Sequence, residues 1–253
     1  MTLKGALKAV LSPSARRWLR TQQLRVERSW RRLRRRGNVG SLRRSVPVST
    51  DWGGERGQIV DRYFIEKFLT EHQSDVRGHV LEFADDSYAL RFGGPNATRV
   101  DVLNLTPSDP RTTIVADLAC GEQIPSDTFD CIICTQVLQY VYDLHAGIRT
   151  LYRILKPGGV VLVTAPGIQK IDRQGMEEWG DLWRFTSLSL RRLFEEAFPK
   201  DQVNIKSYGN VLVAMALLYG FAVEDLRRED LDYCDPDYEV PIAVRAVKPL
   251  AAP

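Results

Sequence analysis

The spacing of apolar positions changes character along this chain. Between residues 12 and 36, Ala15, Trp18, Val26, Trp30 and Leu33 continue from Leu11 at helical intervals. Ser12-Pro13 offers an N-cap followed by proline at the first helical position, and Gly37-Asn38 closes the segment, so a helical arm is predicted there. Residues 37–55 contain Gly, Ser, Pro and the string Asp51-Trp52-Gly53-Gly54 and are read as a connector. Residues 58–71 return to the helical period with Ile59, Tyr63, Phe64, Phe68 and Leu69. From His79 the pattern becomes short apolar runs separated by turns. Strands are predicted at 79–83, 98–103, 113–116, 129–134 and 160–164, with helices at 87–92, 136–155 and 187–198. That alternation predicts an α/β fold with a mostly parallel sheet covered by helices on both faces. Beyond Pro199, a sixth strand at 203–208, a small-residue helix at 211–220, an acidic segment at 224–237 and a last strand at 238–247 are expected, making seven strands with a hairpin-like end.

Size and charge refine this picture. A chain of 253 residues with 44% apolar composition can bury one substantial core. Charge is uneven: residues 1–45 hold fourteen bases and one acid, the rest twenty-one bases and thirty-one acids. The sequence is therefore a basic arm on an acidic body. There is no run of about 18 apolar residues, and arginines occupy the first thirty positions where a secretory signal needs an apolar stretch. A cytoplasmic protein is expected, with attachment to the inner membrane face as an alternative, because tryptophans and arginines on residues 12–36 suit an anionic lipid surface. Cys131 and Cys134 form a CxxC inside a predicted strand, where residues three apart face opposite sides; they are read as core cysteines, and no metal site is expected.

Several strings point to a family. Val80-Leu81-Glu82-Phe83-Ala84 ends a first strand in an acid, and Asp101 follows Glu82 by 19 residues. Asp117-Leu118 follows the third strand, Ile124-Pro125 and Phe129-Asp130 enter the fourth, and Leu155-Lys156-Pro157-Gly158-Gly159 precedes the fifth. In order and spacing this resembles the class I S-adenosylmethionine (SAM)-dependent methyltransferases, from about residue 78 to 247. The resemblance implies a Rossmann-like fold, SAM as cofactor and methyl transfer as the reaction. It implies domain limits of 1–45 for the arm, 46–77 for a connector and helix over the cofactor cleft, and 78–253 for the methyltransferase domain.

Carried over position by position, it implies Asp101 with Val102 at the cofactor ribose, since an acid about 20 residues beyond the first loop binds ribose hydroxyls in dinucleotide folds. It implies Asp117 and Leu118 at the adenine, Gln136 at the methionine portion, and Glu82, Phe83, Ala84 and Asp85 as the first loop. That loop departs from the pattern: the usual glycines are replaced by Ala84, Asp86 and Tyr88, so a turn at Gly93-Gly94 is expected instead. Asp85 and Asp86 either face the cofactor's positive charges or cap the following helix. Two outer strings, Glu55-Arg56-Gly57 with Asp61-Arg62-Tyr63, and residues 179–186, resemble a narrower bacterial group of methyltransferase-domain proteins associated with glycans or natural products. They put Arg56, Tyr63, Trp179 and Asp181 forward as acceptor-side residues near the cleft mouth. No catalytic base is assigned; His72, His79 and His145 are read as packing or surface residues. The expected acceptor is a small molecule, sugar or glycan. The competing readings are a scaffold that binds SAM poorly, or an RNA methyltransferase anchored by its basic arm.

Overall fold

The computed structural model describes residues 44–107 and 109–250. The arm expected at 12–36 lies outside the described residues. The chain forms two compact units, one made of the described residues up to Val60 with Ala216–Arg227, the other of Asp61–Met215 with the chain from Arg228 onward.

In the first unit, backbone segments approach closely. Gly53 has φ +84°, and a Cβ there would sit 2.6 Å from the Phe221 carbonyl oxygen, so only glycine fits. Ile59 pairs with Ala222 in an antiparallel bridge. The Arg56 guanidinium, 1% exposed, donates to both carboxylate oxygens of Asp225 at 2.9–3.1 Å. The Glu224 carboxylate accepts from Gln58 N at 2.9 Å. The Glu55-Arg56-Gly57 string thus helps to build this unit, with Arg56 Nε and Nη2 on Asp225 and Nη1 buried without a hydrogen-bond partner among the described residues.

The second unit is organised by a seven-stranded sheet in the order β3-β2-β1-β4-β5-β7-β6. The strands are β1 (Gly78–Phe83), β2 (Ala97–Asn104), β3 (Ile114–Val115), β4 (Phe129–Thr135), β5 (Leu155–Pro166), β6 (Val203–Ser207) and β7 (Pro241–Val247). β7 runs antiparallel to both neighbours; every other pairing is parallel. Helices are α1 (Val60–Glu71), α2 (Leu144–Ile154), α3 (Arg173–Glu178), α4 (Ser187–Glu195), α5 (Val211–Tyr219) and α6 (Arg228–Asp232). Central strands are buried on both faces, which is why Val80-Leu81 of β1 and residues 131–134 of β4 are unbroken apolar stretches. Ile132, Cys134, Val161 and Val163 join a core cluster with Leu144, Ile148 and Leu151 of α2 and Leu190 and Phe194 of α4. Cys131 and Cys134 are free and fully buried, and burial pushes both thiols far above their ordinary range, which keeps them unreactive.

Two expectations change. The predicted helix at 136–155 begins only at Leu144, because Gln136 has φ +54° and Asp143 supplies the N-cap, accepting from Ala146 N at 2.9 Å. The Lys156-Pro157-Gly158-Gly159 turn does not precede β5 but forms a jog within it. Leu155 already pairs with Phe129, and Val160 pairs with Cys131. Gly158, at φ +80°, donates to Lys248 O at 2.8 Å, and Lys156 Nζ lies 2.7 Å from Asp130 Oδ2. Asp130 also accepts from His79 N at 2.8 Å, so the two most recognisable strings together pin the entrances of β1, β4 and β5.

Candidate active site

After β1 the sheet continues on one side through β2 and β3, and after β4 on the other through β5. The sheet therefore opens a crevice at the carboxyl ends of β1 and β4, where ligands bind in doubly wound folds. At the end of β1, Glu82 is 2% exposed and accepts from Tyr88 N at 3.1 Å and Ala89 N at 2.7 Å. Burial raises its pKa to about 8 against the pull of those two amides. Glu82 thus folds the following loop back onto itself. The loop turns at Ala84, which holds φ +70° without being glycine, and turns again at Gly94, φ +50°. Between them lies a π-helical turn, Ala89–Gly93, where a helix at 87–92 was expected. Asp85 accepts from Ser87 N at 2.8 Å.

β2 extends one residue further than predicted, and this moves the strand-end position. Asp101 pairs in register with Leu81, three residues before the end of β2. Its carboxylate lies 2.6 Å from His79 Nε2 and 3.1 Å from Arg99. Burial alone would raise its pKa, but hydrogen bonds from His79 and Thr113 and the Arg99 charge hold it below the ordinary carboxylate value. The strand-end residue is Asn104. Its Nδ2 donates to Ala84 O at 3.2 Å and Thr112 Oγ1 at 2.8 Å, tying the ends of β1 and β2 together. Asp117 lies exposed beyond β3 with one oxygen accepting from Ala119 N at 2.8 Å. Its neighbour Leu118, 3% exposed, and Val102, 2% exposed, are core residues, and Phe83 is half-buried against the same core.

At the ends of β4 and β5, polar groups are buried without partners. Gln136 N donates to Thr164 O at 2.8 Å, and Gln139 Nε2 donates to Gln136 O at 2.9 Å. Gln136 Nε2, Gln139 Oε1, Thr164 Oγ1 and Asp61 Oδ1 are all buried with no hydrogen-bond partner among the described residues. Asp61, in the first turn of α1, reaches the β5 exit through Gln169, whose Nε2 donates to Asp61 Oδ2 at 3.4 Å. Half-buried Tyr63 stacks edge-on against Phe64 at 5.1 Å.

The segment after β5 forms a wall. Asp181, its side chain 1% exposed, accepts twice from Arg184 at 2.7 Å and once from Asp172 N at 2.8 Å. Both of its oxygens are thereby spent on structure. Arg184 also donates to the Gln169 and Lys170 carbonyls. Trp183 Nε1 donates to Val141 O at 3.0 Å, and Trp179, 46% exposed, packs edge-on against Tyr140 at 5.5 Å. The structure therefore sets Trp179 beside the β4 exit. Each histidine also has an acidic neighbour: His79 Asp101, His145 Glu196 at 2.7 Å and His72 Asp75 at 3.8 Å.

The residues present fit SAM. Side-chain oxygens at the end of β2 and beyond β3 suit ribose hydroxyls and an adenine amine, and a buried carboxyl at β1 suits a cationic group. Asn104, Gln139 and Thr164 were not singled out from the sequence, and Asp61 appeared there only within the Asp61-Arg62-Tyr63 string. For Asn104 the available signal was the break at Thr106-Pro107, which marks where β2 must end.

The strand order, the late antiparallel β7 and this crevice define a Rossmann-like class I methyltransferase fold. Residues 60–197, more than half of the chain, match the family described as "Methyltransferase domain", and the chain belongs to it, a SAM-dependent methyltransferase. Among solved structures it is similar to a protein of Galdieria sulphuraria assigned as a sarcosine dimethylglycine methyltransferase. That similarity has a TM-score of 0.50 and 15% identity over 74% of this chain and 86% of that one. It is also similar to a SAM dependent methyltransferase from Archaeoglobus fulgidus, with a TM-score of 0.49 and 12% identity over 74% and 94% of the two chains. At such identities the first likeness is one of fold. A curated relative, the ubiquinone/menaquinone biosynthesis C-methyltransferase of Enterobacter sp. (strain 638), is 49% identical over 39 residues, 15% of this chain and 16% of that relative's length.

Proposed function

We propose that the chain transfers the methyl group of SAM to a hydroxyl of a small, polyhydroxylated acceptor, a sugar or a glycan terminus. The observation that carries this reading is four unpaired buried polar atoms, on Asp61 of α1, on Gln136 and Gln139 beyond β4, and on Thr164 near the end of β5. A buried polar atom without a partner costs about 1–3 kcal/mol, so such a set is expected to meet a ligand. Its chemistry is mixed. Asp61 Oδ1 and Gln139 Oε1 accept, Gln136 Nε2 donates, and Thr164 Oγ1 does both. Neighbouring hydroxyls, each able to donate and accept, complement all four, whereas an ammonium group would leave the Gln136 amide unmatched.

When bound, SAM supplies an electrophilic methyl group on a sulfonium sulfur. Asn104 and Asp117 are assigned to its ribose and adenine, and Glu82 to its positively charged end. The chain's task is then to align the acceptor oxygen and exclude water, and the wall built on Asp181 and Arg184 holds the acceptor side in place.

The experiment is methyl transfer from isotopically labelled SAM to a panel of methyl hexosides and methyl 6-deoxyhexosides, with ethanolamine and glucosamine as amine arms. Label in an O-methyl product supports the reading. Label on amines alone, or on no sugar, overturns it.

A further inference from the structure

We infer that Asp61 is the catalytic residue that takes the proton of the acceptor hydroxyl as its oxygen attacks the methyl carbon. The inference rests on the hydroxyl-acceptor reading above and adds to it the group that does the acid–base work.

Carboxylates at this end of the sheet differ in what their oxygens do. Glu82 spends both on the Tyr88 and Ala89 amides, and Asp181 spends both on Arg184 and Asp172 N. Asp172 accepts from the Tyr140 hydroxyl at 3.0 Å. Asp61 is as buried as these groups need to be, at 6% exposure, yet its Oδ1 has no partner among the described residues. Holding a desolvated carboxyl with an unused lone pair is costly unless a ligand donates to it. Its second oxygen is held by Gln169 Nε2 at 3.4 Å, and the Gln169 carbonyl accepts from Arg184 Nε at 3.3 Å. The wall that confines the acceptor therefore also orients the carboxyl.

Burial raises the pKa of Asp61 above the ordinary aspartate value, against the pull of Arg62 and of the backbone amides of Asp61 and Arg62. The charged and titratable groups facing it are Arg62 on its own helix and, bonded to Arg62 at 3.0 Å, the Tyr88 hydroxyl from the loop after β1. A carboxylate made more basic in this way is better matched to accepting a hydroxyl proton. In the step itself, the acceptor oxygen forms a bond to the methyl carbon as the carbon–sulfur bond breaks. That bond's electron pair stays on sulfur and neutralises its charge. The hydroxyl proton passes to Asp61 Oδ1, leaving a methyl ether, S-adenosylhomocysteine (SAH) and a protonated Asp61 that returns its proton to solvent.

The test uses the full chain, the best hydroxylated acceptor from the panel above, and Asp61→Asn, which keeps the shape and removes the base. Loss of a general base lowers kcat by roughly 10²–10⁴-fold. That fall is expected in Asp61→Asn, while SAH affinity by calorimetry stays within about threefold, showing that the protein is folded. Gln169→Ala serves as the second variant and is expected to lower kcat by less, again with SAH affinity retained. The inference is overturned if Asp61→Asn keeps kcat within about threefold of the parent chain, or if it weakens SAH more than about tenfold, which would place the carboxyl on the cofactor. An unproductive panel with the parent chain removes the hydroxyl reading and this role together. A productive parent with an equally productive Asp61→Asn removes the role alone.

Discussion

Single residues decide how the cofactor crevice is tuned, and Glu82 is the clearest case. Its folded pKa of about 8 lies above the ordinary glutamate value of 4.5, so the native state holds a proton that the unfolded chain releases between those values. Stability is therefore full below pH 4.5 and lost as pH rises through about 8. The melting temperature of the ligand-free chain should fall across that window, and Glu82→Gln, which cannot ionise, should flatten the fall. An unchanged slope in the variant would refute the assignment. A cationic ligand favours the ionised form, so SAM affinity should rise with pH over the same interval. Ala84 carries the left-handed conformation that glycine adopts freely, at a cost of about 1–2 kcal/mol for an L-residue. Ala84→Gly should accordingly preserve the loop and change stability by no more than about 1 kcal/mol, measured by denaturant unfolding. Asp101 and Asn104 separate by the same logic. Asn104→Ala should weaken SAH binding roughly tenfold, the equivalent of a lost hydrogen bond of about 1–3 kcal/mol. Asp101→Asn, which disturbs the His79 contact inside β2, should lower the melting temperature more than the affinity. The opposite pairing of effects would return the ribose to Asp101.

Whole elements were legible in the sequence to the extent that period alone defines them. β1, β4 and α4 stand within a few residues of their predicted limits, because the buried centres of the two strands are apolar and Thr186 caps α4 with a reciprocal bond to Ser189. What period could not show was where an element stops when a single backbone angle decides it. Gln136 at φ +54° delays α2, and the extra residue of β2 carries the strand end from Leu103 to Asn104, leaving Asp101 inside the strand. The acceptor-side groups were hidden for another reason. Asp61, Gln139 and Thr164 lie far apart in sequence, on α1, beyond β4 and in β5, so no local string groups them. The Glu55-Arg56-Gly57 string, put forward from the sequence for the acceptor side, places its arginine against Asp225. Arg56→Ala should leave Asp225 buried without its counter-charge and cost about 3–5 kcal/mol, read as a lower denaturation midpoint. Within the wall, Arg184→Lys gives up the paired contact to Asp181 and should slow methyl transfer while sparing SAH binding.

On the scale of the molecule, the sheet order fixes one crevice end. No helix among the described residues is long and apolar enough to cross a membrane. The part played by the basic segment at residues 1–45 is a matter for the full chain, and comparing it with a chain beginning at Val46 on anionic vesicles at low salt would measure it. The central claim is that the loop lacking its usual glycines, turned at Ala84 and folded onto Glu82, still forms a SAM site with Asn104 and Asp117. Calorimetric titration of SAH into the full chain tests it most directly. The account predicts saturable one-to-one binding that weakens roughly tenfold in Asn104→Ala and in Asp117→Ala, with both variants melting cooperatively. Binding that is absent in the parent chain, or unaltered in both folded variants, would contradict it.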